Sequence, residues 1–260
     1  MYKKLIENKK AIFFDLDGTI VDTSWYWTRA VGTVLEKIGI GWITDEHKYV
    51  PGENLEDQWK KLIKDFDIKT DKDVKTLVKE TNEEFLKLLN EEEELEATEG
   101  FWDFIYEIKN ERNLKTALIT NSHKDVALPI LQKIEAETVF DLIVYGNDVS
   151  KPKPSPEIFK KALTDLNLKP QEVLVFEDSL AGTEAAREAG LEVVVIWDER
   201  YPEALYKGKV FMFIPDFSSL PGNMNLTYQE FIEYYAKQYD ERDKKIRETK
   251  ASDLGKVING

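Results

Sequence analysis

The sequence has no cysteine, two histidines and three methionines, and no hydrophobic run long enough to cross a bilayer. Without cysteine there can be no disulfide, thiolate nucleophile or cysteine metal site. The imidazoles are His47 and His123, and no paired ligand spacing accompanies either one. Both read as solvated or structural. The longest apolar stretches, such as Val193 to Trp197, fall far short of the ~20 residues of a membrane helix. The basic start, Met1 to Lys10, leads into an apolar run that Asp15 and Asp17 interrupt at once, which is unlike a signal peptide. A cytoplasmic location is expected. Positive charge is also in short supply, with 36 Lys and Arg against 50 Asp and Glu and a net charge of −14. Such a surface repels nucleic acid and anionic membranes, so neither is an expected partner, and a small anionic ligand would need local cations.

What is present suits an ordinary folded protein. At 260 residues with 42% hydrophobic and 33% charged residues, the chain can bury a full core, as one domain with a sizeable insert or as two modest domains. Six short apolar runs read as strands buried on both faces: Ala11 to Phe14, Thr116 to Ile119, Leu142 to Tyr145, Val173 to Phe176, Val193 to Trp197 and Val210 to Ile214. Helical patterns alternate with them at Phe101 to Arg112, Asp125 to Ile134, Pro156 to Leu166 and Ser179 to Ala189. The last has a capping serine at its start and Gly190 at its stop. Alternation of this kind predicts an α/β fold with a doubly wound, Rossmann-like parallel sheet.

Between Val21 and about Thr98 the alternation breaks, and three helices are predicted instead: Ser24 to Ile38, Leu55 to Phe66 and Asp73 to Leu89. The expected organisation is therefore an α/β core from 1–21 and 99–221, a helical cap inserted at 22–98, and a charged helical extension at 222–260. The acidic run Glu91 to Glu94 and Gly100 mark the return from the insert. The extension carries Phe231, Tyr234, Tyr235 and Tyr239, which leaves a monomer and a homodimer both open.

Four constellations lie at predicted strand ends or in loops. Asp15-Leu16-Asp17-Gly18-Thr19 follows the first strand, where ligands bind in open α/β sheets. Two carboxylates so close repel unless a cation intervenes, and a hard, oxygen-seeking ion such as Mg²⁺ answers that need. Thr120-Asn121-Ser122 ends the second strand with groups able to donate hydrogen bonds to phosphate. Lys151-Pro152-Lys153-Pro154 fixes a lysine ahead of a helix, and Phe176-Glu177-Asp178-Ser179 delivers a second acidic pair. Taken singly each has a plain reading: a solvated strand end, a turn, an exposed loop lysine, a helix cap.

Taken together and in this order, the four resemble the motifs of the haloacid dehalogenase-like hydrolases, over roughly residues 10 to 220. The likeness is nearest to the subgroup of β-phosphoglucomutases and phosphoglycolate phosphatases, whose helical cap follows the first motif. The resemblance implies a Mg²⁺-dependent phosphatase acting on a small phosphorylated metabolite such as a sugar phosphate. It implies Asp15 as the nucleophile that forms an aspartyl-phosphate and Asp17 as acid and then base. Thr120 and the amide of Asn121 would hold phosphoryl oxygens, and Lys153 would neutralise charge. Asp15, the Asp17 carbonyl and Asp178 would hold the metal, with Glu177 either a ligand or a group that orients the ligands. Intact Asp17 argues against a dehalogenase. Trp27 stands where related mutases carry a histidine, and Leu55 where they carry a phosphate-gripping arginine, so hydrolysis is favoured over a phosphosugar mutase. A catalytically silent phosphate-binding protein is the remaining alternative. Trp27 is expected to pack on the leaving group, while Trp42 and Trp59 are expected to fill the cap core.

Overall fold

In the computed structural model, residues 6–41, 54–91, 95–206, 210–218 and 220 are described. Trp42, His47, most of the acidic run after Glu91 and the extension beyond Gly222 lie outside them. Lys9–Ser218 form one compact unit, which contains both the sheet and the inserted helices. Met1–Asn8 and Ser219–Gly260 belong to a second unit.

Six parallel strands build the sheet: β1 (Ala11–Phe14), β2 (Lys115–Ile119), β3 (Leu142–Val144), β4 (Val173–Glu177), β5 (Glu192–Ile196) and β6 (Val210–Ile214). Their order is β3-β2-β1-β4-β5-β6, so β1 lies inside the sheet and the chain winds outward from it in both directions. All four residues of β1 are fully buried, as a strand covered by helices on both faces requires. Successive side chains point to opposite faces. Phe13 joins Val175, Ile119 and Phe159 on one side. Phe14 on the other side stacks on Phe176 at 5.5 Å and meets the edge of Phe101 at 5.9 Å.

The core helices are α4 (Phe101–Tyr106), α5 (Lys124–Lys133), α6 (Glu157–Leu166) and α7 (Leu180–Glu188). Ser179 caps α7 by accepting a hydrogen bond from Gly182 N. The predicted helix from Phe101 to Arg112 changes character halfway, since α4 passes into a π-helical turn at Glu107–Glu111. A wider turn leaves the hydrophobic spacing nearly intact, so periodicity alone does not register it.

Among its described residues the insert holds three helices: α1 (Ser24–Lys37), α2 (Leu55–Asp65) and α3 (Val74–Glu91). Val31, Val34, Leu35, Trp59, Leu62 and Leu77 make a separate small core. Trp59 is fully buried there, with its indole N–H donated to Thr81 Oγ1 at 3.0 Å. Chain leaving the sheet and chain returning to it run side by side. Val21 pairs antiparallel with Ala97, and Thr98 is bonded through its amide to the Ile20 carbonyl and through its hydroxyl to the Thr19 carbonyl, each at 2.8 Å. That double tie sets the insert over the carboxyl edge of β1.

Candidate active site

Register decides which side chains meet. Phe14 is level with Phe176 on one side and with Leu118 on the other. Residues following these strands therefore leave the sheet together, at the edge where open α/β folds bind ligands. Asp15 comes off β1, Thr120 off β2, and Glu177 with Asp178 off β4. The ladder extends one residue further, with the Asp15 amide donated to the Phe176 carbonyl at 3.0 Å.

Lys153 reaches this edge from the loop before α6 and is 1% exposed, whereas Lys151 is exposed on the surface. Its ammonium group donates to Asp15 Oδ1 at 2.6 Å, Glu177 Oε1 at 2.7 Å and the Ile119 carbonyl at 2.7 Å. An ammonium has three donors, so all are spent and the charge is fixed in place. Burial opposes the ammonium, but the carboxylates of Asp15 and Glu177 outweigh it and hold Lys153 above its ordinary value. Asn121 braces the same residue from below: its side chain accepts from Lys153 N at 2.8 Å and donates to Lys153 O at 3.2 Å.

The acids here outnumber the lysine. Carboxylate oxygens of Asp15, Glu177 and Asp178 lie within 4.8 Å of one another, and all three residues are buried. Burial pushes the Asp15 carboxyl up to about 7, Lys153 pulls it down, and Glu177 and Asp17 add to the upward push. Asp178 is raised well above the usual carboxylate range by burial, Glu177 and Asp15, against a hydrogen bond from Thr19 at 3.1 Å and the charge of Arg200. Crowded oxygen donors with excess negative charge suit a hard divalent cation. Glu177 is already engaged at both oxygens, since Oε2 accepts from Ser179 N at 2.8 Å and Ser179 Oγ at 2.9 Å. Two glycines make the cluster possible. A Cβ at Gly18, whose φ is +92°, would come within 2.2 Å of Asp178, and one at Gly182 within 1.6 Å of Glu177.

Asp17 faces a different set of neighbours. Its Oδ1 accepts from Thr23 Oγ1 at 2.5 Å and from the Trp27 indole Nε1 at 3.1 Å, and its Oδ2 accepts from Ser122 Oγ at 2.7 Å. The carboxylate thus stands apart from the three that cluster, and only the backbone of Asp17 is left to serve a cation there. Trp27 lines the cleft as well. It is 3% exposed, its ring is stacked on Phe85 at 4.0 Å, and its indole N–H is spent on Asp17.

A cleft of about 90 Å³ opens over Asp15, Asp17, Thr120 and Ser122. Its far wall comes from the insert, with Asn54, Leu55, Glu56, Val78 and Asn82, and His123 and Val126 close the side. Thr120 Oγ1 accepts from the Ser122 amide at 3.0 Å, which shapes the turn after β2. The structure brings Asp15, Lys153, Glu177 and Asp178 into one contact group and places Asp17, Thr120, Asn121 and Trp27 around it. Sequence reasoning did not single out Thr19, Thr23, Ser122 and Ser179 as partners of the acids. A local signal existed for Ser179, two positions after Glu177, whereas Ser122 meets Asp17 from 105 positions away and Thr19 meets Asp178 from 159.

Acids, a buried lysine and a roofed cleft at the carboxyl edge of a parallel sheet define an enzyme site of the α/β hydrolytic kind. The sequence pattern of the haloacid dehalogenase-like hydrolases matches residues 12–196. The chain belongs to that family and is an enzyme of its phosphatase branch. It is 33% identical over 183 residues to the phosphorylated carbohydrates phosphatase of Thermotoga maritima, covering 70% of this chain and 82% of that one. It is 28% identical over 188 residues to the β-phosphoglucomutase of Bacillus subtilis, covering 71% and 82%. Among solved structures, CbbY from Rhodobacter sphaeroides in complex with xylulose-(1,5)-bisphosphate superposes with a TM-score of 0.72 at 25% identity, over 82% of this chain and 96% of that one.

Proposed function

We propose that this protein is a Mg²⁺-dependent phosphatase of small phosphomonoesters, with a sugar monophosphate or similar polyol phosphate as substrate. The observation that carries the reading is the Asp15 carboxylate, held 2.6 Å from a fully engaged buried ammonium at the floor of a cleft that Asp17 also lines. A Mg²⁺ held by Asp15, Asp178 and the Asp17 carbonyl, with Glu177 orienting Lys153, would supply the positive charge that an anionic nucleophile needs near an anionic phosphoryl group. An oxygen of Asp15 attacks phosphorus, the bond to the leaving oxygen breaks, and the proton of Asp17 goes to that oxygen. Water then gives a proton to Asp17, attacks phosphorus and breaks the bond to Asp15, so that phosphate leaves and both carboxyl groups are restored. Thr120 and Asn121 line the floor beside Asp15, where the phosphoryl oxygens would lie.

Hydrolysis is favoured over mutase chemistry by the far wall. Among the described residues it offers two amides, aliphatic groups and the Glu56 carboxylate, which would repel a second phosphate. These groups suit the hydroxyls and carbon skeleton of a neutral leaving group. The test is phosphate release from p-nitrophenyl phosphate and from a panel of sugar monophosphates and bisphosphates, with Mg²⁺ and after chelation. The expected result is Mg²⁺-dependent release with monophosphates preferred. Undiminished turnover after rigorous chelation, or isomerised sugar phosphate in place of free phosphate, would contradict it.

A further inference from the structure

Asp17 takes part in the proposed reaction only if its carboxyl group points at the leaving oxygen, and three hydrogen bonds determine where it points. Two of these come from the start of the insert: Thr23, just before α1, and Trp27, within its first turn. The third comes from Ser122, after β2. Trp27 does not stand alone, because its ring lies flat on Phe85 of α3, with centroids 4.0 Å apart and planes 25° from parallel. Both rings are buried, Phe85 fully. With both rings buried and stacked, the plane of the indole is held by Phe85, so its N–H is aimed by a contact made with the third helix of the insert.

We infer that Trp27 is a positioning residue for Asp17, and that Phe85 sets the direction of its indole N–H without touching either the carboxylate or the cleft. The inference rests on the reading of Asp17 as the proton donor to the leaving group. Packing of the insert, α1 against α3, thereby reaches the proton-transfer group through one ring pair and one hydrogen bond. The insert then does more than roof the cleft. Donor placement matters most when the leaving group is a poor one, because a good leaving group departs without a proton.

The test is a series of substituted phenyl phosphates of similar size, from phenyl to p-nitrophenyl, in which kcat/KM reports the step that expels the phenol. Trp27→Phe keeps a stacking ring and removes the N–H. Its kcat/KM on phenyl phosphate is expected to fall about tenfold further than on p-nitrophenyl phosphate, steepening the dependence on leaving-group acidity. Phe85→Leu keeps the N–H but loses the stacking partner and should steepen the same plot by a smaller factor, which preserves the test if the first variant folds poorly. Asp17→Asn calibrates the assay and should steepen it most. Equal losses across the series in both aromatic variants would overturn the inference and leave the pair as packing alone. No steepening in Asp17→Asn would overturn the donor role of Asp17 itself, a separate failure that the same plot identifies.

Discussion

The floor and the roof of the cleft are built by different physics. On the floor, Asp15, Lys153, Glu177 and Asp178 are buried ionisable groups whose positions are fixed by strand register, by two glycines that leave room, and by hydrogen bonds that use every proton of the lysine. On the roof, Asn54, Leu55, Glu56, Val78 and Asn82 are helix-surface residues of an independent small core. A buried charge without its partner is costly, so the floor tolerates almost no change. The roof side chains have no such constraint and can vary with the substrate. On the proposed function, the reacting groups stand at the sheet edge, and the insert orients Asp17 and faces the rest of the substrate.

The largest effect should come from the floor. Lys153→Met leaves Asp15 and Glu177 facing each other without their shared cation, and kcat should drop by about 10³-fold or more, with destabilisation of about 3 kcal/mol or more. Steady-state rates and chemical denaturation check both numbers. Activity within tenfold of the parent would mean that the lysine is not needed for charge balance.

A roof substitution should act on preference instead. Replacing Leu55 or Asn82 by alanine should change the ratio of kcat/KM between two sugar phosphates by about tenfold, a scale typical of a few lost pocket contacts. Competition between the two substrates measures the ratio directly. Equal losses on every substrate would erase the distinction between floor and roof.

The smallest effect concerns pH. The ordinary aspartate value is 3.8, and burial lifts folded Asp15 to about 7. Between these values the folded chain keeps a proton that the unfolded chain has lost. Stability from this group is therefore present below the unfolded value and lost as pH rises through the folded one. In chelator, the melting temperature of the parent should fall relative to Asp15→Asn as pH goes from about 4 to 8. Added Mg²⁺ should flatten the difference, because a bound cation supports the ionised form. Parallel melting curves for the two proteins would show that Asp15 does not titrate in that window.

The same division explains what the sequence made legible. All six strands and the helices of both parts fall within a few residues of expectation, because buried apolar runs and amphipathic spacing mark them directly. The floor was legible as well, since acidic residues after buried strands and a proline-fixed lysine are local patterns. Less could be read where function depends on pairing across the chain. Nothing local tells that Asn121 braces Lys153, that Ser122 and Thr23 hold Asp17, or that the Trp27 ring is covered by Phe85, 58 positions along the chain. The place of Trp27 in the sequence puts it at the cleft, which it lines, while its burial follows from the packing of α1 on α3, which only the folded insert determines.

The most direct measurement is capture of the phosphoryl enzyme. After rapid mixing with a phosphomonoester and Mg²⁺, borohydride reduces an acyl phosphate to an alcohol, and peptide mass mapping locates the altered residue. Substrate-dependent reduction is expected at Asp15, absent when substrate is omitted and absent in Asp15→Asn. Reduction at a different carboxylate, or full turnover with no captured intermediate under conditions that trap a control acyl phosphate, would contradict it.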